Sequence, residues 1–532
     1  MTEVRSTEIA QAWTDLTGSI PPADLIPAYF PRISDAEYET YGPKALAAAA
    51  ARHYDVARGF DGTTPAVSLT NPSASDADYA GNRTVINIVL PDTRYTLSSI
   101  ISELTGAGHN IRAVRHPIIV TERAGDQLQI VPSAELSRAT TSTSALPTIT
   151  PGMSDTTRAK ESWVHLEIDQ VPEEQFDELR AQIARVLEYV IAAEADREPM
   201  RARAHELAEQ LRSTPPRPEL ADEAAESAEL LDWLSGRFAF LGYREYSLGT
   251  AGEELALHPI EGTAMGISSL RPTQSSPLSK NVAARAEEPR VLVLTKANSR
   301  SHVIRRSYLD YLGVKTYDEN GAIVGERRFV GLYTSGMYNA SVLDIPVIRQ
   351  KVAWVLRESG VERDTHSGDE LLSILETYPR DDLFQADVEE IFEVVMQVLD
   401  LKEKRESRVF IRRDPYARYV SVLVYVPRDL YDTDSRLRVE KVLRDAYQAD
   451  TVDFDVLLSE SALARLHFVA RVPRNISLPE VDAHTVSERI TSALRSWSED
   501  VWEYLAPHNA RHTAAELDRA RTWSEAFPPS YI

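Results

Sequence analysis

Apolar positions change their period along the chain, and the changes divide it into units. Early on the spacing is helical. Ser34-Asp-Ala-Glu-Tyr-Glu opens like a capped helix with acids at the positive end of its dipole, and an alanine-rich helix over Ala45–Ala57 buries Tyr54 and Val56. The Ser, Asn, Pro and Asp of Ser68–Gly81 read as a linker. From Thr84 the period shortens. Thr84–Leu90 is a buried strand, then Leu97, Ile100, Ile101 and Leu104 recur at helical spacing over Tyr95–Thr105. Gly106 and Gly108 stop that helix. Asn110–Arg123 reads as one long strand, with Asp126–Val131 its short partner across a Gly-Asp turn. Residues 132–160, rich in Ser, Thr and Pro, read as a mobile insertion. Trp163–Ile168 alternates like a half-exposed strand, and Glu173–Ala195 aligns Phe176, Leu179, Ile183, Val186 and Leu187 on one helical face. Strand–helix–strand–strand–helix is most of a ferredoxin-like unit.

Residues 199–236 are helical with a break at Pro215-Pro216, and β-rich sequence follows to about Thr334. The aromatics of Phe238–Tyr246 alternate at strand period and read as core. Arg290–Thr295 and His302–Arg306 read as a hairpin around Ala297-Asn298-Ser299, and a second hairpin turns at Glu319-Asn320-Gly321. Helical spacing returns over Pro346–Glu358, Glu370–Glu376 and Leu383–Leu401. In Pro379-Arg-Asp-Asp-Leu-Phe-Gln385, Asp381 or Asp382 reads as a helix cap with Leu383 and Phe384 as anchors. From Ser407 the earlier order recurs: strand Tyr419–Val426, helix Ser435–Tyr447, strands Thr451–Ser459 and Leu463–Val472, and a long helix Pro479–Tyr504.

The two ferredoxin-like stretches share a detail. Val89-Leu-Pro-Asp-Thr-Arg-Tyr-Thr-Leu97 and Val424-Tyr-Val-Pro-Arg-Asp-Leu-Tyr-Asp-Thr433 each end a long strand, turn at proline and enter the first helix. A βαββαβ unit with that loop resembles the ACT domain, a regulatory module that binds amino acids against this strand-to-helix corner. The resemblance makes Asp92, Thr93 and Arg94, and Arg428, Asp429 and Asp432, candidate effector contacts. A helix N-terminus and a forked arginine suit a carboxylate, and an aspartate suits an ammonium group. The same residues also suit a plain helix start. Neither loop has the glycine of amino-acid-binding ACT domains, which leaves assembly alone as the other role.

Composition narrows the classes. The 532 residues exceed what one core fills, and 43% hydrophobic with 26% charged residues is ordinary for a globular protein. A formal charge of −23 argues against nucleic acid or an anionic membrane as partner. Zero cysteines exclude disulfides, thiolate metal sites and a cysteine nucleophile, and suit a reducing cytoplasm. The N-terminus has no signal-peptide core, and no run approaches the length of a membrane span.

Catalytic signatures are missing. No G-x-G-x-x-G follows a strand, and Gly262-Thr-Ala-Met-Gly266 lacks both spacing and context. There is no Walker loop, H-E-x-x-H or G-x-S-x-G elbow. His205-Glu206 reads as a surface pair, and His508 and His512, four apart in a polar neighbourhood, read as a solvated face rather than metal ligands. The expectation is no catalytic, cofactor-binding or metal site. Lys296, Arg300, Arg305 and Arg306 crowd one segment of an acidic chain, as a candidate anion site or as an inter-domain contact, the favoured reading. Glu326-Arg327-Arg328 reads as pairing with neighbouring acids at an inter-domain contact.

Four stretches in fixed order carry a wider resemblance: Phe238–Tyr246, Leu294–His302, Gly325–Thr334, and His366-Ser-Gly-Asp-Glu-Leu-Leu running to Gln385. Together they resemble the N-terminal region of the large bacterial NAD-dependent glutamate dehydrogenases. That resemblance implies an α+β multidomain chain: a helical segment 1–80, an ACT-like domain 81–198, a helical connector 199–236, and a β-rich PAS-like or second ACT-like domain 237–343. A helical connector 344–405, an ACT-like domain 406–505 and the start of a helical linker 506–532 follow. It implies a regulatory and oligomerisation module whose parent turns L-glutamate, NAD and water into 2-oxoglutarate, ammonium and NADH, with NAD bound outside this segment. The implied partners are its own C-terminal catalytic domain, further copies of itself, an amino-acid effector and a forkhead-associated-domain regulator. The competing reading is a stand-alone ACT/PAS-type amino-acid sensor, and a third is an unrecognised hydrolase. Phe527-Pro-Pro-Ser-Tyr-Ile532, following the helical Arg511–Trp523, reads as the start of a linker and favours the first.

Overall fold

A computed structural model describes residues 3–77, 81–124, 127–132, 156–401, 406–458, 461–473, 476, 478–495 and 513–526. The sequence expectations for most of 132–160, the 125–126 turn, His508, His512 and Phe527–Ile532 lie outside these residues. The chain forms two compact units. One comprises Met1–Pro199, Met265–Pro272 and Ser299–Tyr308, the other Met200–Ala264, Thr273–Asn298 and Leu309–Ile532. Among the described residues no helix is long and apolar enough to cross a membrane.

The first unit is built on an antiparallel sheet in the order Ala66–Thr70, Arg83–Pro91, Thr156–Asp169, Ile118–Ala124, Gln127–Val131, with Ile111–Arg115 also paired to Thr156–Asp169. The segment read as a linker therefore contains an edge strand, Ala66 facing Val89 and Thr70 facing Val85. The expected long strand is interrupted at His116-Pro117, because proline has no N–H for the ladder. Its register still runs through, since Arg115 faces His165, Ile118 faces Ser162, and Trp163 N donates to Pro117 O at 3.0 Å.

Trp163–Ile168 is buried on both faces, not half-exposed. The N-terminal helices Glu3–Thr17, Leu25–Tyr29 and Asp35–Arg58 cover one face, packing Ile9, Trp13, Leu25, Tyr29, Leu46 and Ala50 against Val89, Ile119, Ile130 and Trp163. Ser34 caps the third of these helices by accepting from Glu37 N at 3.1 Å. Helices Thr96–Gly106 and Phe176–Ala195 contact strands of the same sheet and pack together. The alternation of residues 163–168 survives as a choice between two interiors, since the polar side chains His165 and Glu167 meet a buried polar network on the N-terminal side. There His165 Nδ1 lies 2.8 Å from Asn87 Oδ1, and Glu167 accepts from Arg83 at 2.5 Å and from Tyr41 at 3.0 Å.

In the second unit one sheet runs Ser276–Pro277, Glu254–Pro259, Phe238–Ala251, Ile323–Tyr333, Tyr308–Tyr317, Leu292–Arg300. Phe238, Phe240, Tyr243 and Phe329 form its aromatic core; alternation places Phe238 and Phe240 together, and a register shift at Leu241 brings Tyr243 to the same Phe329 ring. Tyr308–Tyr317 and Ile323–Tyr333 form the hairpin expected over Glu319-Asn320-Gly321, with Gly321 at φ 77°. The other expected hairpin does not form: Leu292–Arg300 is one continuous strand, and 301–307 is a connecting loop that belongs to the first unit. That loop is held by Ile304 N donating to Ser99 Oγ at 2.8 Å and Arg306 N to Ser102 Oγ at 2.7 Å. The glycines of Gly325–Thr334 are required by close backbone approach. A Cβ on Gly331 would stand 2.1 Å from Ala239 O, and one on Gly325 2.2 Å from Tyr246 O.

The remaining sheet runs Arg408–Arg413, Tyr419–Pro427, Leu463–Arg471, Thr451–Leu457, all antiparallel. This is the strand arrangement of a ferredoxin-like sheet, with one change of connectivity that the N-terminal sheet shares. The strand flanking the first long strand comes before it in the chain, as Ala66–Thr70 or Arg408–Arg413, rather than after the second helix.

Candidate functional site

Period-two alternation gives the Arg408–Arg471 sheet two unlike faces. Val420, Val422, Val424 and Val426, with Leu466 and Phe468, pack beneath helices Thr433–Tyr447 and Ala483–Leu494. The opposite face carries Arg412, Tyr419, Ser421, Tyr425, Arg465, His467 and Arg471, in which Tyr419 faces Arg471, Ser421 faces Arg412 and Tyr425 faces Arg465. Such a face needs polar partners, and the short helix Arg380–Gln385 brings them. Asp382 pairs with Arg412 and accepts from Ser421 Oγ at 2.7 Å, while Gln385 Oε1 accepts from Tyr419 Oη and from Arg412 at 3.2 Å.

Burial alone would raise the Asp382 carboxyl, but Arg412, His467 and the Ser421 hydroxyl hold it below the usual range. The cap expected at Asp381 or Asp382 is absent: Pro379 begins the helix without a side-chain cap. Both acids are drawn instead to buried cations.

Asp381 lies 3.0 Å from Lys296 Nζ, which also pairs with the buried Asp310. Asp310 in turn accepts from Tyr333 N at 2.8 Å. Burial and the second carboxylate, outweighing Lys296, raise Asp310 to about 6. Next to Lys296, Arg418 donates to Lys296 O at 2.6 Å and pairs with Asp414 at 2.8 Å. Strand Leu292–Arg300 and helix Arg380–Gln385 are thus fastened to the same sheet.

Ser421, His467 and Asp382 have the composition of a hydrolytic triad but not its geometry. Ser421 Oγ is 2.8 Å from His467 Nε2, yet Asp382 meets that same Ser421 hydroxyl rather than the far nitrogen of the imidazole. Ser421 is also buried under the helix. These groups lock a packing interface.

The other residues singled out above are placed as follows. Asp432 caps Thr433–Tyr447, accepting from Ser435 N at 2.6 Å in a reciprocal box, while Arg428 and Asp429 lie exposed on the preceding turn. Asp92 accepts from Ser162 Oγ at 3.0 Å, Thr93 Oγ1 donates to Pro91 O at 2.8 Å, and Arg94 stands 3.9 Å from Glu194. Arg300 donates to Arg306 O at 3.2 Å and lies over the Tyr308 ring; Arg305 and Arg306 share its loop. Arg328 is sandwiched between Tyr246 and Tyr311 and paired with Glu326, and Arg327 donates to Gln210 at 2.7 Å.

His205, Glu209 and Asp232 bring ligand atoms within 4.8 Å of one another, but Arg212 already pairs with both carboxylates. A cavity of about 350 Å³ lies among Arg285, Arg290, Lys351, Phe384, Asp387 and Tyr416. Its charges are largely paired: Glu288 takes both arginines at 2.8 Å, and Lys351 donates to the carbonyls of Leu383, Phe384 and Ala386. The sequence reading missed Arg412, Ser421, His467 and Arg418. For Ser421 the signal is the alternation of polar and valine positions within 419–426; Arg412, Arg418 and His467 lie outside that stretch.

Three family models match these elements in order: glutamate dehydrogenase ACT1 domain over residues 25–183, helical motif 1 over 345–404, and ACT2 domain over 408–498. The chain is 31% identical over 483 residues to the NAD-specific glutamate dehydrogenase of Halomonas elongata, covering 89% of this chain and 28% of that protein. It is 34% identical to that of Pseudomonas aeruginosa, covering 89% and 29%, and 27% identical to that of Mycobacterium tuberculosis, covering 85% and 27%. Over these regions the chain matches the glutamate dehydrogenase models and is similar to the NAD-specific glutamate dehydrogenases. The chain spans under a third of the length of these relatives. In the models' terms, Asp382 belongs to helical motif 1 and Arg412, Ser421 and His467 to ACT2, so the buried contacts of Asp382 join those two regions, while Asp381 ties helical motif 1 to Lys296.

Proposed function

We propose that these residues are the regulatory and assembly portion, N-terminal to the catalytic domain, of a large NAD-specific glutamate dehydrogenase. The whole protein oxidises L-glutamate with NAD and water to 2-oxoglutarate, ammonium and NADH, with NAD bound outside these residues. One observation carries this reading: 89% of the chain aligns to only 28% of a relative, and the matched regions are ACT domains and a helical motif. The lack of a dinucleotide fingerprint in the sequence supports it.

In this reading the module works by population shift: an amino acid or partner that prefers one arrangement of the ACT regions biases the catalytic domains. The loops Asp92–Arg94 and Arg428–Asp432 are the proposed effector contacts. Arg300, Arg305 and Arg306, with Lys296, are proposed as structural contacts. The central β-rich stretch, 237–343, is proposed as a PAS-like or second ACT-like domain, within the domain boundaries set out from the sequence. The parent is proposed to be a cytoplasmic homo-oligomer, with a forkhead-associated-domain protein as a further regulator.

Calorimetry and thermal-shift screening of this chain against amino acids and NAD test the proposal. The expected result is stabilisation by one amino acid, none by NAD, and no glutamate-dependent NADH above a blank. Stabilisation by NAD, or NADH formation by these residues alone, sinks it.

A further inference from the structure

The polar face of the ACT2 sheet is filled by Asp382 near its middle but is left unsatisfied farther along. Tyr425 and Arg465 face each other in register and are 6% and 9% exposed. Tyr425 Oη and Arg465 Nε are both shut off from solvent without a hydrogen-bond partner. Both residues line a cavity of about 40 Å³, covered by Ser373 and Thr377 of helix His366–Thr377 and by Val398 of helix Val388–Leu401. That is room for one ion or a few waters.

The lining decides which occupant fits. Arg465 gives one terminal nitrogen to Asp455 at 2.7 Å, and its Nε can only donate. Thr377 Oγ1 is spent on the carbonyls of Ser373 and Ile374. No carboxylate lines the cavity among the described residues. A second guanidinium, Arg380, is buried with its own Nε unpartnered. Burial lowers the Arg380 pKa, and the charge of Arg465 pushes it the same way against Glu376. Arg465 and Arg380 each already hold a carboxylate, Asp455 and Glu376, but Arg465 Nε and the Tyr425 hydroxyl can both donate to one acceptor in the cavity, and beside a guanidinium a small anion fills that role. Ser373 is exposed, which gives a small solute a way in.

We propose that this cavity binds a single small monovalent anion of halide size, held by Tyr425 Oη and Arg465 Nε, which fastens helical motif 1 onto ACT2. The test follows the melting temperature of the chain as sodium chloride replaces sodium gluconate at constant ionic strength. Expected is a saturable rise with chloride, its midpoint shifted at least about tenfold by Tyr425→Phe and by Arg465→Lys. Crystals grown in bromide should show an anomalous peak beside both atoms. Superimposable chloride and gluconate series, an unchanged midpoint in Tyr425→Phe, or density for water only would each overturn the proposal. Because Tyr425→Phe removes one oxygen, its folding is checked by its melting temperature in gluconate. Should either variant fail to fold, the bromide crystals of the unaltered chain decide the matter alone.

Discussion

Asp382 and Arg412 form an ion pair beneath a six-residue helix, their side chains 4% and 14% exposed. The arrangement explains why two adjacent acids occur in Pro379-Arg-Asp-Asp-Leu-Phe-Gln385. Asp381 and Asp382 diverge to separate cations, Lys296 and Arg412, so the helix is pinned at two points. Removing one member of a buried pair strands the other charge, typically at about 3–5 kcal/mol. Asp382→Ala should therefore lower unfolding stability in urea by about that much, and Asp382→Leu with Arg412→Met should lose less than Asp382→Ala alone. A double variant worse than both singles would mean that the pair is incidental.

The Lys296 cluster has a pH signature. Two carboxylates, Asp310 and Asp381, share one ammonium, and Asp310 is already raised to about 6. In Lys296→Met these carboxylates lose their cation, so the native state takes up protons more readily than the unfolded chain. Stability then rises as pH falls. The loss caused by Lys296→Met should be larger at pH 8 than at pH 5, measured by denaturant midpoints.

The first unit should be acid-labile for two reasons that act in the same direction. His53 is buried between Tyr29 and Ile88 O and stays neutral, lowered to about 3 by burial and by His165. Its contribution is present above the unfolded histidine value and declines as pH drops below about 6.5. Glu167 is held at about 2, since hydrogen bonds from His165 and Arg83 and the charge of Arg115 outweigh the effect of burial. Its contribution, of order 3 kcal/mol, is present above pH ~4.5 and lost towards pH 2. Glu167→Gln should flatten the lower part of the stability–pH curve and His53→Phe the upper part.

Gly331 sits where Phe238–Ala251 passes too close for a side chain. A methyl there meets Ala239 O at 2.1 Å and the Phe238 ring at 2.6 Å. Gly331→Ala should cost about 3 kcal/mol or more, because backbone rather than a flexible side chain has to move. Gly236→Ala, where a Cβ meets nothing within 4 Å, is the matched control and should be near neutral.

Much of this architecture was legible in the sequence. Helical spacing found Phe176–Ala195, Ile348–Glu358 and Thr433–Tyr447 to within a few residues, because one buried stripe sets that period whatever covers it. The repeated strand–proline–helix corner marks both ACT sheets through local sequence alone. Other features were not legible. Ala66–Thr70 reads as linker because an edge strand of five residues carries little periodicity. Leu292–Arg300 reads as a shorter strand because Asn298 and Ser299, common in turns, sit here inside it.

The candidate site divides along the same line. From the sequence by itself came most element types, the family stretches and the strand over residues 419–426, since each is set by local spacing. Which partner covers each face was decided only by the tertiary structure. Alternation says that Trp163, His165 and Glu167 share one side of a strand, but not that helices would bury that side. Likewise Asp382 looks like a cap among its neighbours and becomes a buried counter-ion only when Arg412, thirty positions on, is folded beneath it. Short-range pattern constrains what a surface offers; long-range packing chooses what meets it, because desolvated charge must find an opposite charge wherever the chain supplies one.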